Sequence, residues 1–155
     1  MKKFLCSMVL VAFLVAFGAV CAAQASTKEE AKALAEQAAA FWKANGKDKA
    51  LAEFNNPKGQ FVKGDLYIVA HDFKGAVLAH GANQKLVGVN LWEQKDPNKG
   101  NFFVREQIEL AKTKGSGWAN YHWANPATKK LQPKTTWVKK IDGEDFLVNC
   151  GVFVE

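Results

Sequence analysis

The sequence predicts an α+β fold: a central antiparallel β-sheet with a long amino-terminal helix packed on one face. Three observations carry that prediction. Apolar residues recur at helical spacing from Ala31 to Trp42. Strand-like runs then alternate with tight turns, and strands joined by short turns cannot be parallel neighbours. Finally, 155 residues with 48% hydrophobic and 23% charged side chains leave room for one ordinary packed domain.

The first 25 residues belong to a different class. Met1-Lys2-Lys3 is positively charged, Phe4 to Val20 is apolar without a charge, and Ala23-Gln24-Ala25 has the small-x-small pattern of a signal-peptidase site. The expectation is a signal peptide, residues 1–25, cleaved before Ser26, with a single domain over 26–155. An uncleaved anchor is the alternative, since an apolar run of this length lies at the short end of a spanning helix. A lipoprotein cysteine at Cys21 fits less well, because Gly18-Ala19-Val20 lacks the usual residues before it.

The elements of the mature chain follow in order. Thr27 and Glu30 form a capping box that opens the long helix, and Asn45-Gly46 closes it. Asp48 is read as the cap of a shorter helix that stops before Asn55-Asn56-Pro57. Asp65 to Ala70 and Ala76 to His80 read as two strands around the turn Asp72-Phe73-Lys74-Gly75. Asn83 to Asn101 reads as a long ordered loop, and Phe103 to Lys114 returns to helical spacing before Gly115. Trp118 to Trp123, Thr135 to Ile141 and Phe146 to Val154 complete an antiparallel meander, separated by Asn125-Pro126 and Asp142-Gly143.

Composition excludes several functions. The net charge is +6, or (21 − 2) − 15 = +4 without the leader's two lysines, and an exported protein meets no genomic DNA. Nucleic acid is therefore not an expected partner. No Gly-rich phosphate loop, Gly-x-Ser-x-Gly or His-Glu-x-x-His pattern is present. Of three cysteines, Cys6 and Cys21 lie in the leader, so Cys150 has no internal disulfide partner. Its apolar strand makes it an inert structural thiol. The spacing of His71, His80 and His122 does not promote a zinc site. Asp96 to Asn101 reads as a turn rather than a calcium loop. No cofactor or metal is expected.

The strongest local signal is Gly115 to Pro126. Strand alternation puts Tyr121 and Trp123 on one face with Ala119, and Trp118, Asn120 and His122 on the other. Aromatic rings with a polar handle suit a small-ligand pocket, and they equally suit a core. Lys134 opens the next strand and has the charge to neutralise a carboxylate. On spacing alone it has no advantage over Lys129, Lys130, Lys139 or Lys140.

Taken together, these pieces resemble the extracellular single Cache sensor family, in its second single-domain subtype. The matching residues are Gly59-Gln60-Phe61, Leu66-Tyr67-Ile68-Val69, Asp72-x-x-Gly75, Leu78-Ala79-His80, Gly88 and Asn90. They continue through Asp96, Gly100, Phe103, Gly115-x-Gly117-Trp118-x-x-Tyr121-x-Trp123-x-Asn125-Pro126, Lys134-x-x-Trp137-Val138 and Gly151-Val152-Phe153. Trp137 stands where the family usually has Tyr, and His80-Gly81 where His-Pro is common.

The resemblance implies a PAS-like fold with a pocket between the sheet and the loop-helix segment. It moves His80, Tyr121, Trp123 and Lys134 forward as ligand-binding residues, with Trp92 as a lid and no catalytic residue. The implied ligand is a short carboxylate or an amino-acid-like metabolite. The implied partner is a separate membrane receptor or sensor kinase, because the sequence given stops at Glu155, and pairing into a homodimer through the long helix is also implied. A ligand-free accessory protein that docks through its surface is the alternative. An exported lyase or isomerase using His80 or His122 as base is a third class, for which no paired acid or nucleophile is identified.

Overall fold

The computed structural model of the protein describes residues 26–154, so the expected signal segment lies outside the described residues. Among the described residues, no helix is long and apolar enough to cross a membrane. Helix α1 spans Lys28–Asn45, and its capping box forms as expected, with Thr27 and Glu30 satisfying each other's backbone N–H groups. Gly46 ends α1 at φ 80° and also precedes α2, Lys47–Phe54. Asp48 therefore does not cap α2. It lies in the first turn, where its charge faces the positive end of the helix dipole.

The expected strand from Asp65 to Ala70 is divided between two sheets. Val62–Lys63 (β1) pairs with Leu66–Tyr67 (β2) as a small hairpin, while Val69–Asp72 (β3) joins the main sheet. The chain stays extended but changes hydrogen-bonding partners at Ile68. The turn Asp72 to Gly75 leads into Val77–His80 (β4), and the Asp72 carboxylate accepts from the N–H groups of Lys74 and Ala76. A loop follows, containing a short 3-10 helix at Gln84–Leu86. Phe103–Lys114 (α3), Ser116–Ala124 (β5), Leu131–Lys140 (β6) and Phe146–Phe153 (β7) complete the chain.

The main sheet is antiparallel throughout, in the order β4-β3-β7-β6-β5. The expected meander is its β7-β6-β5 half. Helix α1 crosses β6 and β7 on one face. Ala31, Ala35 and Ala38 are fully buried there, and their small side chains bring the helix close to the sheet. Leu34 and Trp42 fill the remaining space with Ile68, Ala70, Val148 and Cys150. Two indoles are fixed by carboxylates on this side: Trp42 donates to Glu144 at 3.0 Å and Trp137 to Glu36 at 2.9 Å.

The opposite face is covered by α3 and the 83–101 loop. Val77, Leu91, Phe103, Val104 and Ile108 form its apolar part, with Leu147 and Val138 from the sheet beneath. Asp96 secures the loop to the edge strand β5. Its carboxylate, fully buried, accepts from the backbone N–H groups of Asn98, Lys99 and His122. It also meets His122 Nδ1 at 3.1 Å. The Asp96–Asn101 segment is thus a tight turn docked on a strand edge.

Candidate functional site

Strand register decides which polar side chains reach the face under α3. Tyr121 lies opposite Lys134, and Lys134 opposite Phe153. Four residues back along β7, Asn149 lies opposite Val69 on β3, and Val69 opposite His80 on β4. Side chains on directly paired residues share a face, so β3 to β7 all send polar groups to one side. Leu91, Phe103 and Gln107 close over them from the loop and α3. The cavity they enclose is about 20 Å³, room for roughly one water molecule.

Lys134 dominates the electrostatics of this cavity. It is 2% exposed, and its ammonium donates to Tyr67 Oη at 2.8 Å. The same nitrogen lies 4.2 Å from the Tyr67 ring centroid and 4.8 Å from that of Phe153. Among the described residues it has no carboxylate partner. A buried cation without a counter-charge is costly, and only the phenol oxygen and two ring faces offset that cost here.

The remaining polar groups add donors. His80 Nδ1 accepts from the backbone N–H groups of Asn83 at 2.9 Å and Ala82 at 3.3 Å. Burial, followed by the neighbouring Lys134 charge, lowers its pKa to about 3, so the ring is neutral and carries its proton on Nε2. The ring stacks on Tyr67 with centroids 5.0 Å apart. Tyr67 Oη accepts from Lys134 and keeps its own proton to donate, and burial raises its pKa well above the usual phenol range. Burial also raises the pKa of Tyr121, whose ring stacks on Phe103 at 4.5 Å. Thr136 Oγ1 lies 3.4 Å from its hydroxyl. Asn149 donates to Gln107 Oε1 at 3.0 Å, joining the sheet to α3. The site is rich in donors, positively charged and free of carboxylates: its chemistry suits a small anion.

Four of the five residues singled out from sequence line this cavity: His80, Tyr121, Trp123 and Lys134. Trp92 does not. It packs on the Gly75 backbone, where any β-carbon would come within 3.0 Å of it, and its carbonyl accepts from Arg105 Nε at 2.9 Å. Its neighbour Leu91 faces the cavity instead. Trp137 faces α1, so the family's usual Tyr at that position would not reach this cavity either. His122 lies on the other side of β5 from Tyr121 and serves the Asp96 anchor. Cys150 is in the core beneath α1, and burial raises its thiol to about 12. Among the described residues, no group of three His, Cys, Asp or Glu is placed to hold a metal ion.

Sequence reasoning missed Tyr67, His71, Gln107 and Asn149. Two of them carried a signal: Gln107 interrupts the apolar stripe of Phe103, Val104, Ile108 and Ala111, and Asn149 interrupts the run from Leu147 to Val152. A polar residue at a buried position of an apolar pattern marks either a network or a site.

Comparison with known proteins gives a consistent picture. Residues 8–155 match the family described as Single Cache domain 2. The sensor histidine kinase MctS of Rhizobium johnstonii is 29% identical over 91 residues, covering 59% of this chain. The chain spans only 19% of that relative's length. A solved periplasmic sensor domain of a chemotaxis protein is 25% identical and superposes with a TM-score of 0.64, over 82% of this chain and 90% of its own. A Cache chemosensory domain solved to explain carboxylic acid recognition gives the same identity and TM-score, over 82% of this chain and 88% of its own.

Proposed function

This chain belongs to the Single Cache domain 2 family, and from that membership we propose that it is an exported sensor module that binds a short organic acid. One observation carries the reading: the buried Lys134 ammonium has no described carboxylate partner and is surrounded by donors. A ligand carboxylate seated there would offset the cost of the buried cation. Such a charge-assisted contact is worth about 1.5–3 kcal/mol. Tyr67 O–H, Tyr121 O–H and His80 Nε2–H would orient it, and Trp123 and Phe103 would wall its apolar part. The chemosensory domain solved for carboxylic acid recognition supports this ligand class by likeness.

The related chemotaxis and histidine-kinase sensors support a membrane signalling partner and a periplasmic site of action. On the same reading the signal peptide is removed after Ala25, and a mature amino terminus other than Ser26 would contradict that step. The test of binding is a thermal-shift screen against short carboxylates, amino acids, amines and purines. A ligand at one hundred times its dissociation constant adds about 2.7 kcal/mol, roughly 10 °C for a domain of this size. The expected result is a shift with acids that disappears in Lys134→Met and shrinks in Tyr121→Phe. An acid shift unchanged in both variants would refute the pocket chemistry.

The small cavity, about 20 Å³, favours one other reading, a ligand-free docking protein. It predicts capture of a defined membrane partner by protein that shows no thermal response to any metabolite.

A further inference from the structure

We propose that the cavity selects a short carboxylate that also bears a hydroxyl group, and that His71 is the side chain that reads the hydroxyl. This rests on the carboxylate being held by Lys134. His71, on β3, is 4% exposed and lines the same cavity. Its Nδ1 is one of two buried side-chain polar atoms without a hydrogen-bond partner among the described residues. No described group bonds its Nε2 either. Buried polar atoms in folded proteins are nearly always satisfied, so an imidazole left open at both nitrogens is waiting for something in the cavity.

The chemistry of the ring narrows what that is. Burial lowers its pKa to about 4, with the Asp72 charge opposing only in part, so the ring is neutral at physiological pH. A neutral imidazole offers one donor and one acceptor. A hydroxyl can answer either nitrogen, a carbonyl only the donor, and a methyl group neither. An ammonium group would answer the acceptor but would share the cavity with Lys134, and no carboxylate lines the cavity to offset two cations. Amino acids and amines are therefore disfavoured.

Placement separates the two recognition points. Lys134 lies opposite Phe153 on β7, whereas His71 lies opposite Leu147, near the other end of the same strand. The lysine side chain reaches back to Tyr67, and His71 remains beyond it. A ligand with its carboxylate at Nζ therefore presents its other end to the imidazole. The closed cavity holds about one water, so the loop and α3 must move outward to admit even a three-carbon acid.

The probes are propionate and 2-hydroxypropionate, which differ by one hydroxyl, titrated calorimetrically into the full protein. The wild type should bind 2-hydroxypropionate at least about tenfold more tightly, the discrimination expected when a buried donor or acceptor would otherwise stay unpaired. His71→Phe should abolish the preference, so that the two acids bind within about threefold of each other. His71→Gln keeps a donor and an acceptor and should retain part of the preference. Should His71→Phe fail to fold, the wild-type imidazole nitrogens provide the second measurement: their NMR shifts should move with 2-hydroxypropionate and not with propionate. Equal affinities in the wild type, or a preference that survives in His71→Phe, would overturn the inference. If propionate binding nonetheless depends on Lys134, the proposed function stands without it. If neither acid binds, both fall.

Discussion

Lowering the pH from 7 to 5 should remove about 4 kcal/mol of stability, through two histidines that the fold keeps neutral. His71 and His80 are each 4% exposed, and burial brings their pKa values to about 4 and about 3. In the unfolded chain a histidine titrates near about 6.5. Both folded values are depressed, so between roughly pH 6.5 and 4 the unfolded state binds protons that the folded state refuses. Stability therefore falls as pH falls through that window, by up to about 1.4 kcal/mol per pH unit for each ring. From pH 7 to 5 each contributes about 2 kcal/mol, a large share of a typical total of about 5–15 kcal/mol. Asp96 does not confuse this window. Burial alone would raise its pKa, but N–H donors from Lys99, His122 and Asn98 bring it down to about 2, and its contribution is lost only as pH falls further. Guanidinium unfolding followed by tryptophan fluorescence at pH 7, 6 and 5 reads the effect, and His71→Phe should halve it. A total loss below about 1 kcal/mol, or folded-state imidazole signals titrating near the unfolded value, would refute the reasoning.

Two further substitutions test the packing that shapes the site. Asp96→Ala removes the carboxylate that holds the loop to β5 and leaves the N–H groups of Asn98, Lys99 and His122 without their acceptor. It should cost about 3–5 kcal/mol in denaturant unfolding and raise hydrogen exchange across the loop, whereas a cost under 1 kcal/mol would mean that the anchor is dispensable. Gly151→Ala places a β-carbon 2.2 Å from Thr136 Oγ1 and 2.5 Å from the Thr135 carbonyl. The strands must move apart at the Thr136–Gly151 pair, for a loss of at least about 1–3 kcal/mol, and a melting temperature equal to the wild type would show that the close approach has been overestimated.

Local patterns explain what was legible before any coordinates. The capping box at Thr27, the α1 stripe, the Asp72 to Gly75 turn and the β5-β6-β7 meander all depend on residues close together in the chain, so periodicity and turn chemistry specify them. The boundary at Ile68 was not legible, because an extended run looks the same whichever strands it pairs with. That Leu91 rather than Trp92 lines the cavity was not legible for a similar reason: an irregular loop has no period, so nothing local says whether position 91 or 92 turns inward.

The sequence by itself determined the α+β class, the family resemblance, the face shared by Tyr121 and Trp123, and the absence of disulfide support from Cys150. Spacing left Lys134 as one lysine among several nearby, and only the family resemblance moved it forward. The tertiary structure supplied the physical difference between it and the others. Lys134 is buried because strand register turns it toward α3 and because Tyr67, sixty-seven residues earlier, supplies the oxygen that receives its ammonium. His71, Gln107 and Asn149 meet in the same way, from β3, α3 and β7. A binding site assembled from three-dimensional neighbours has no spacing in the chain. Its chemistry exists only once the sheet has chosen its register.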